Sequence, residues 1–153
     1  MDDKLMETLE ALAKEISSLK REVTDLKRRE IPAGIWKTYT PSSQTGWTAL
    51  PSGTYRYTAI GKLVILHIAM GGGNTSNANT AKIALPFTAA NFGGSMTGAN
   101  GYAIDNGAAL TTMSRWAIAP NSTTIDFYKD AASGAWTASG TKRIYCVAIY
   151  ERA

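Results

Sequence analysis

Two spacings of apolar residues divide this chain. At its start they stand at Leu5, Leu9, Leu12, Ile16, Leu19, Val23 and Leu26, so the gaps alternate between four and three residues. That is a heptad repeat, with Leu9, Ile16 and Val23 at a and Leu5, Leu12, Leu19 and Leu26 at d. The strip is too narrow for a helix packed on a globular core and has the width of a seam between identical helices. Glu15 and Glu22 stand at g, and Lys20 and Lys27 follow five residues later at e. This is the spacing of salt bridges between parallel neighbouring chains. The pattern predicts a parallel coiled-coil helix over residues 1–31. Branched residues at a with Leu at d lean towards two strands, and Leu9 at a weakens that lean.

Pro32 stops the helix and 32–34 is a short linker. From 35 to 153 the period changes to alternation and short apolar runs. Strands are predicted at Ile35–Thr40, Thr54–Ala59, Lys62–Met70, Ala81–Leu85, Gly101–Ile104, Ala109–Ala119, Thr123–Tyr128 and Lys142–Arg152. Breaks rich in Gly, Asn, Ser, Thr and Pro separate them, and Ile60-Gly61-Lys62 predicts a tight hairpin. No long helical pattern follows Pro32. The expected fold is mainly β, an antiparallel sandwich or barrel of jelly-roll type.

Two of these strands are apolar on both faces. Leu63–Met70 is broken only by His67, and Ile144–Tyr150 is nearly as dry. An antiparallel sheet in a monomer normally keeps one face wet. No helix in this chain is free to cover the second face, so a neighbouring copy of the chain is expected there.

Charge changes the picture little. Residues 1–31 carry seven Lys/Arg and eight Asp/Glu, and 32–153 carry the remaining nine and four, a net of +5. The basic residues of the second part are scattered singly apart from Lys142-Arg143, unlike the clustered charge of nucleic-acid binders. Cys146 is the only cysteine. It excludes an intrachain disulfide and a thiolate zinc site, and its strand context predicts a buried thiol. The start lacks the basic-then-apolar run of a signal peptide, and the longest apolar run is too short to span a bilayer. A soluble chain, without membrane insertion, is expected.

The second part reads Trp36 and Trp47, then Gly53-Thr-Tyr55-Arg-Tyr57-Thr-Ala-Ile60-Gly61-Lys-Leu63-Val64. Ile83-Ala84-Leu85-Pro86-Phe87-Thr88 follows, then Ile118-Ala119-Pro120-Asn121-Ser122-Thr123-Thr124-Ile125, and finally Arg143-Ile144-Tyr145 and Tyr150-Glu151. Over residues 36–153 this resembles the C-terminal head domains of bacteriophage tail-fibre and related virion proteins. The resemblance implies a homotrimeric jelly-roll-like sandwich head on a coiled-coil stalk. It also implies a place on the tail, baseplate or capsid surface of a virion, the protein being made in the bacterial host cytoplasm. The partners it implies are other virion proteins, reached through the N-terminal rod, and a host-surface glycan or protein receptor. A dimer is the alternative to the trimer, and a decoration or assembly protein without receptor is the alternative function. A polysaccharide-degrading tail enzyme is a third reading.

Catalysis finds little support in the residues. His67 is the only histidine and lies mid-strand among aliphatic residues. A hydrolytic triad needs a histidine held by an acid beside a nucleophile. The acids after residue 32 are Asp105, Asp126, Asp130 and Glu151, and turn chemistry accounts for the first three. Gly71-Gly72-Gly73 is not followed by Lys-Ser/Thr, so there is no phosphate loop, and no Cys/His set or calcium-loop spacing exists. No cofactor, metal or enzymatic activity is expected.

Binding fits better. The stretches Gly71–Thr80, Asn91–Gly101 and Ala131–Gly140 read as long polar loops, and long loops tend to carry function. Their amides and hydroxyls suit hydrogen bonding to sugar hydroxyls. Trp136, with Asn74, Asn77 and Asn79, is the candidate ligand site, the indole stacking on a pyranose face. The other reading of Trp136 is a plug at the end of the sandwich.

Overall fold

The computed structural model describes residues 3–29, 35–72 and 74–153; within the helix, the side chains of Asp3, Leu5 and residues 25–29 lie outside that description. The predicted linker 32–34 lies outside the described residues as well. The chain forms two compact units, Met1–Ala33 and Gly34–Ala153.

The first unit contains one helix, α1 (Asp3–Arg29). Leu9, Leu12, Ile16, Leu19 and Val23 are each about half exposed, from 47 to 54 %. The single chain therefore provides no cover for the heptad strip. Of the predicted seam, Leu5 and Leu26 lie outside the described side chains, and so does Lys27 of the predicted ion pairs; Glu15, Lys20 and Glu22 are exposed on the helix surface. The hydroxyls of Thr8, Ser17 and Thr24 each donate back to the carbonyl four residues earlier. This satisfies them without leaving the helix.

The second unit is β throughout. Its strands are β1 (Lys37–Thr38), β2 (Gln44–Thr45), β3 (Gly53–Ile60), β4 (Leu63–Met70), β5 (Lys82–Ala84) and β6 (Met96–Ala99), followed by β7 (Tyr102–Asp105), β8 (Ala108–Ala109), β9 (Arg115–Ile118), β10 (Thr124–Tyr128) and β11 (Arg143–Glu151). Every pairing is antiparallel. A six-stranded sheet has the order β1-β3-β4-β11-β7-β8 and a five-stranded sheet the order β2-β5-β10-β9-β6. The described residues are thus mainly β, with two antiparallel sheets and one helix.

Tight turns form where the sequence asks for them. Ile60 pairs with Leu63 across Gly61-Lys62, with Gly61 at φ +58°. Asp105 pairs with Ala108 across Asn106-Gly107, both at positive φ, as a primed hairpin turn requires.

Inward-facing residues of both sheets make one core. Val64, Leu66, Ile68 and Met70 of β4 and Ile144 and Tyr150 of β11 are fully buried against Ile83, Ile118 and Ile125 of the other sheet. Each such aliphatic side chain contributes about 1.5–3 kcal/mol by leaving water. Cys146 belongs to this core as expected, and burial pushes its thiol up to about 12.

Three strand expectations need correction. The predicted strand Ala109–Ala119 is two strands, because the chain leaves the six-stranded sheet after β8 and joins the five-stranded sheet at β9. Asn100 holds the crossing: its amide N–H and Nδ2 both donate to Ser114, at 2.9 Å each. The predicted loop Asn91–Gly101 contains β6. Its Gly98 reads as a loop residue, yet a Cβ there would stand 2.5 Å from Cζ2 of Trp116, so the glycine lets the indole lie against the strand. The two-residue β2 has no signal in the sequence.

Candidate functional site

The outer faces of the two sheets differ in chemistry. On the six-stranded sheet the register aligns Val147, His67 and Arg56 in one row across β11, β4 and β3, and Ile149, Ile65 and Thr58 in the next. Leu63 pairs with Ile60 beyond them. Val147 is 52 % exposed, Ile149 45 % and Leu63 43 %. Between Arg56 at one end and Glu151, which pairs with Leu63, at the other, these side chains form a largely apolar patch, and such patches mark interaction surfaces. It is the second apolar face expected for Leu63–Met70 and Ile144–Tyr150, and in the single chain it is exposed.

His67 lies inside this face. Trp36 meets it edge-on, with ring centroids 6.2 Å apart, and the Arg56 guanidinium lies 4.9 Å from the centre of the same indole. Nδ1 of His67 is buried with no hydrogen-bond partner. Burial first, and then the Arg56 charge, lower the imidazole pKa. The ring is accordingly neutral at neutral pH and compatible with an apolar surface.

The outer face of the five-stranded sheet is polar. Lys82 on β5 donates to Asp126 on β10 at 2.8 Å, and the Arg115 guanidinium of β9 lies 4.6 Å from the centre of the Tyr128 ring. Arg115 also donates to the hydroxyl of Ser133.

A pocket of about 220 Å³ opens beside this ion pair. Lys82, Asp126 and Tyr128 form one wall, and Asn79, Ser133 and Trp136 the other. Its loop is braced from within: the carboxylate of Asp130 accepts the amide N–H of Gly134 at 2.8 Å, and the amide of Lys129 donates to the carbonyl of Gly134 at 3.0 Å. The volume is below the roughly 300–1,000 Å³ of drug-sized sites and suits one small ring.

The structure separates the four predicted ligand residues. Trp136 and Asn79 line this pocket together, and the carbonyl of Asn79 accepts the Trp136 amide N–H at 3.0 Å. Trp136 is only 3 % exposed, however, and its indole N–H donates to the carbonyl of Phe127 at 2.8 Å. It is the plug and offers no open stacking face, which corrects the expectation of a surface platform. Asn74 is buried: its Oδ1 accepts the amide of Ser52 at 3.0 Å and its Nδ2 donates to the carbonyl of Gly71 at 2.9 Å. Its side chain ties two loops together and lies outside the pocket's lining. Asn77 is exposed and is not among the residues lining the pocket. The aromatic ring on the pocket's outer wall is Tyr128, which alternation on β10 could have identified.

Behind the pocket stands Lys142, fully buried. Its ammonium donates to the carbonyls of Gly46, Ala78 and Thr80 at 3.2, 2.9 and 2.8 Å. The rings of Trp47 and Trp136 lie 5.3 and 5.6 Å away. All three donors are satisfied, as a buried ammonium requires. Burial lowers its pKa to about 8, with Asp105 opposing. Asp105, also buried, accepts from Lys129 at 2.8 Å and from the amide and hydroxyl of Thr137 at 3.0 and 2.9 Å. Burial alone would raise its pKa, but these partners hold it below the usual carboxylate range.

Among the described residues no group of three His, Cys, Asp or Glu side chains could hold a metal ion, and no helix is long and apolar enough to cross a membrane. No protein-family model matches the sequence, and no curated protein matches it.

Proposed function

We propose that this chain is the subunit of a homotrimeric, non-enzymatic fibre or spike protein of a bacteriophage virion, on the tail, baseplate or capsid surface. Its second unit is a jelly-roll-like sandwich head that contacts a host-surface receptor, and its helix is a parallel coiled coil attaching the head to other virion proteins. The observation that carries this reading is the apolar outer face of the six-stranded sheet, set against the polar outer face of the five-stranded one. A second copy of the chain covers such a face, and the exposed heptad strip at Leu9, Leu12, Ile16, Leu19 and Val23 calls for the same partner. Joined copies present several equal sites, so weak contacts act together.

The receptor contact is assigned to the pocket between Asp126, Tyr128 and Asn79, with a saccharide unit as ligand. A carboxylate and an amide suit vicinal hydroxyls, and an aromatic ring suits the apolar face of a sugar. The acids of the head have structural partners: Asp105 holds Lys129, Asp126 holds Lys82, and Asp130 holds the Gly134 turn. That favours binding over glycoside hydrolysis, which needs two carboxyls facing one cleft.

Multi-angle light scattering tests the assembly. Three times the chain mass of 16.4 kDa is expected, and a monomer at micromolar concentration removes the reading. Glycan-array binding by the intact oligomer separates a receptor-binding head from a decoration protein.

A further inference from the structure

A groove of about 720 Å³ in the second unit shares no residue with the pocket of Asp126 and Tyr128. Segments distant in sequence build it: Ser42-Ser43 before β2, Lys62 of the β3–β4 turn, Ala84–Thr88, Thr123 before β10, and Arg152-Ala153 after β11. Backbone hydrogen bonds tie these walls to one another. Ala84 donates to Ser43 at 3.0 Å, Leu85 to Thr123 at 2.8 Å and Arg152 to Lys62 at 2.9 Å. The groove is therefore preformed.

Its polar groups are uncommitted. The Arg152 guanidinium lies 4.9 Å from the centre of the Phe87 ring, and that ring is held edge-on by Tyr57 at 5.1 Å. The ring gives the guanidinium an apolar support, and among the described residues no carboxylate or carbonyl accepts from its N–H groups. Lys62 has only Glu151, at 4.0 Å between two well-exposed side chains, a pairing of little strength. The hydroxyls of Ser42, Ser43, Thr88 and Thr123 make no hydrogen bond among the described residues. No acidic side chain lines the groove, and Leu85 and Pro86 supply an apolar floor.

Two cations, one of them a guanidinium set over an aromatic ring, together with four free hydroxyls and two apolar residues suit one kind of guest. We infer that this groove is a second binding site, for an oxyanion carried on a hydroxylated ring, such as a carboxylated or phosphorylated sugar. Arg152 takes the oxyanion through paired N–H donors, the geometry in which guanidinium binds carboxylate and phosphate. Lys62 adds charge, and the serine and threonine hydroxyls meet the ring hydroxyls. The site is independent of the pocket assigned to the receptor and stands or falls separately.

The test is an NMR titration of the full chain with glucuronate, glucose 6-phosphate and glucose as probes. Glucuronate, glucose 6-phosphate or both should shift the amides of Thr88, Thr123 and Arg152, and glucose should not. Which of the two binds tells carboxylate from phosphate as the anion. Arg152→Met removes the guanidinium while keeping a long unbranched side chain and should weaken binding about tenfold or more. Should that variant fail to fold, Lys62→Met, at a well-exposed position, should weaken it by a smaller factor and make it less sensitive to salt. Lys82→Met, in the other pocket, should leave it unchanged. Equal shifts with glucose, no shifts with either acid, or full binding in the Arg152 or Lys62 variant would each overturn the proposal.

Discussion

The main-chain carbonyl of Lys142 accepts the indole N–H of Trp47 at 3.1 Å, while the ammonium of the same lysine lies 5.3 Å from the centre of that indole. One residue thus grips the other at both ends. Through its three carbonyl acceptors Lys142 also holds Gly46 and the Ala78–Thr80 loop that carries Asn79.

Lys142→Met should therefore destabilise the second unit by about 3 kcal/mol, since it leaves buried carbonyls without donors. Urea unfolding with an unchanged m-value measures this. The pH dependence has a definite sign. The folded-state pKa of about 8 lies below the ordinary 10.5, so between these values the unfolded chain binds the extra proton. The contribution of Lys142 titration is present above the unfolded value and is lost as pH falls through about 8. The stability of wild type relative to Lys142→Met should accordingly rise across that window. A flat difference would show that the three carbonyls hold the ammonium charged throughout.

Val147→Asp places a charge in the middle of the apolar face beside His67 and Ile149, at a position 52 % exposed. In one chain the charge is solvated, so the fold should be retained with little loss. Combined with Ile16→Asp in the heptad strip, it should turn the assembly into monomers by light scattering. Either change alone should raise the dissociation constant. A monomer-sized wild type, or an unaffected double variant, would remove the shared role of the two surfaces.

Trp136→Ala should cost about 3–5 kcal/mol, the range for a buried aromatic. Any binding lost in that variant reports unfolding. Tyr128→Ala and Asn79→Ala act on half-buried and exposed side chains and should leave thermal unfolding within a few degrees of wild type. If the pocket holds a saccharide, both should reduce glycan-array signal about tenfold. Unchanged binding in both would detach the receptor contact from this pocket.

Gly98→Ala should destabilise by about 1–3 kcal/mol, the cost of overpacking, because its Cβ would meet the Trp116 ring at 2.5 Å. Trp116→Phe, with a smaller ring, should recover part of that loss in the double variant. Full additivity would mean that β6 and the ring do not press on one another.

Much of this molecule was legible in one dimension. Heptad spacing placed the helix, and period-two alternation with Gly61 placed the β3–β4 hairpin, because both patterns are local and repeat over several turns or strands. The run from Leu63 to Met70 also predicted that β4 would be apolar on both faces. The crossing between sheets at Asn100 and Ser114, the strand hidden in Met96–Ala99 and the burial of Asn74 were not legible. Each depends on a partner far away in sequence, and no local propensity encodes the distance between Gly98 and Trp116.

The sequence by itself determined the division into a heptad helix and a β unit, the hairpins, and the excess of apolar side chains that one core cannot absorb. Only the tertiary structure decided which residues converge. It buried Trp136 and Asn74, gathered Asn79 with Asp126 and Tyr128, and brought Arg152 and Phe87 into one groove with four free hydroxyls. Periodicity fixes the face on which a side chain lies, whereas convergence depends on the order in which strands pair, and that order is settled by packing across the whole core.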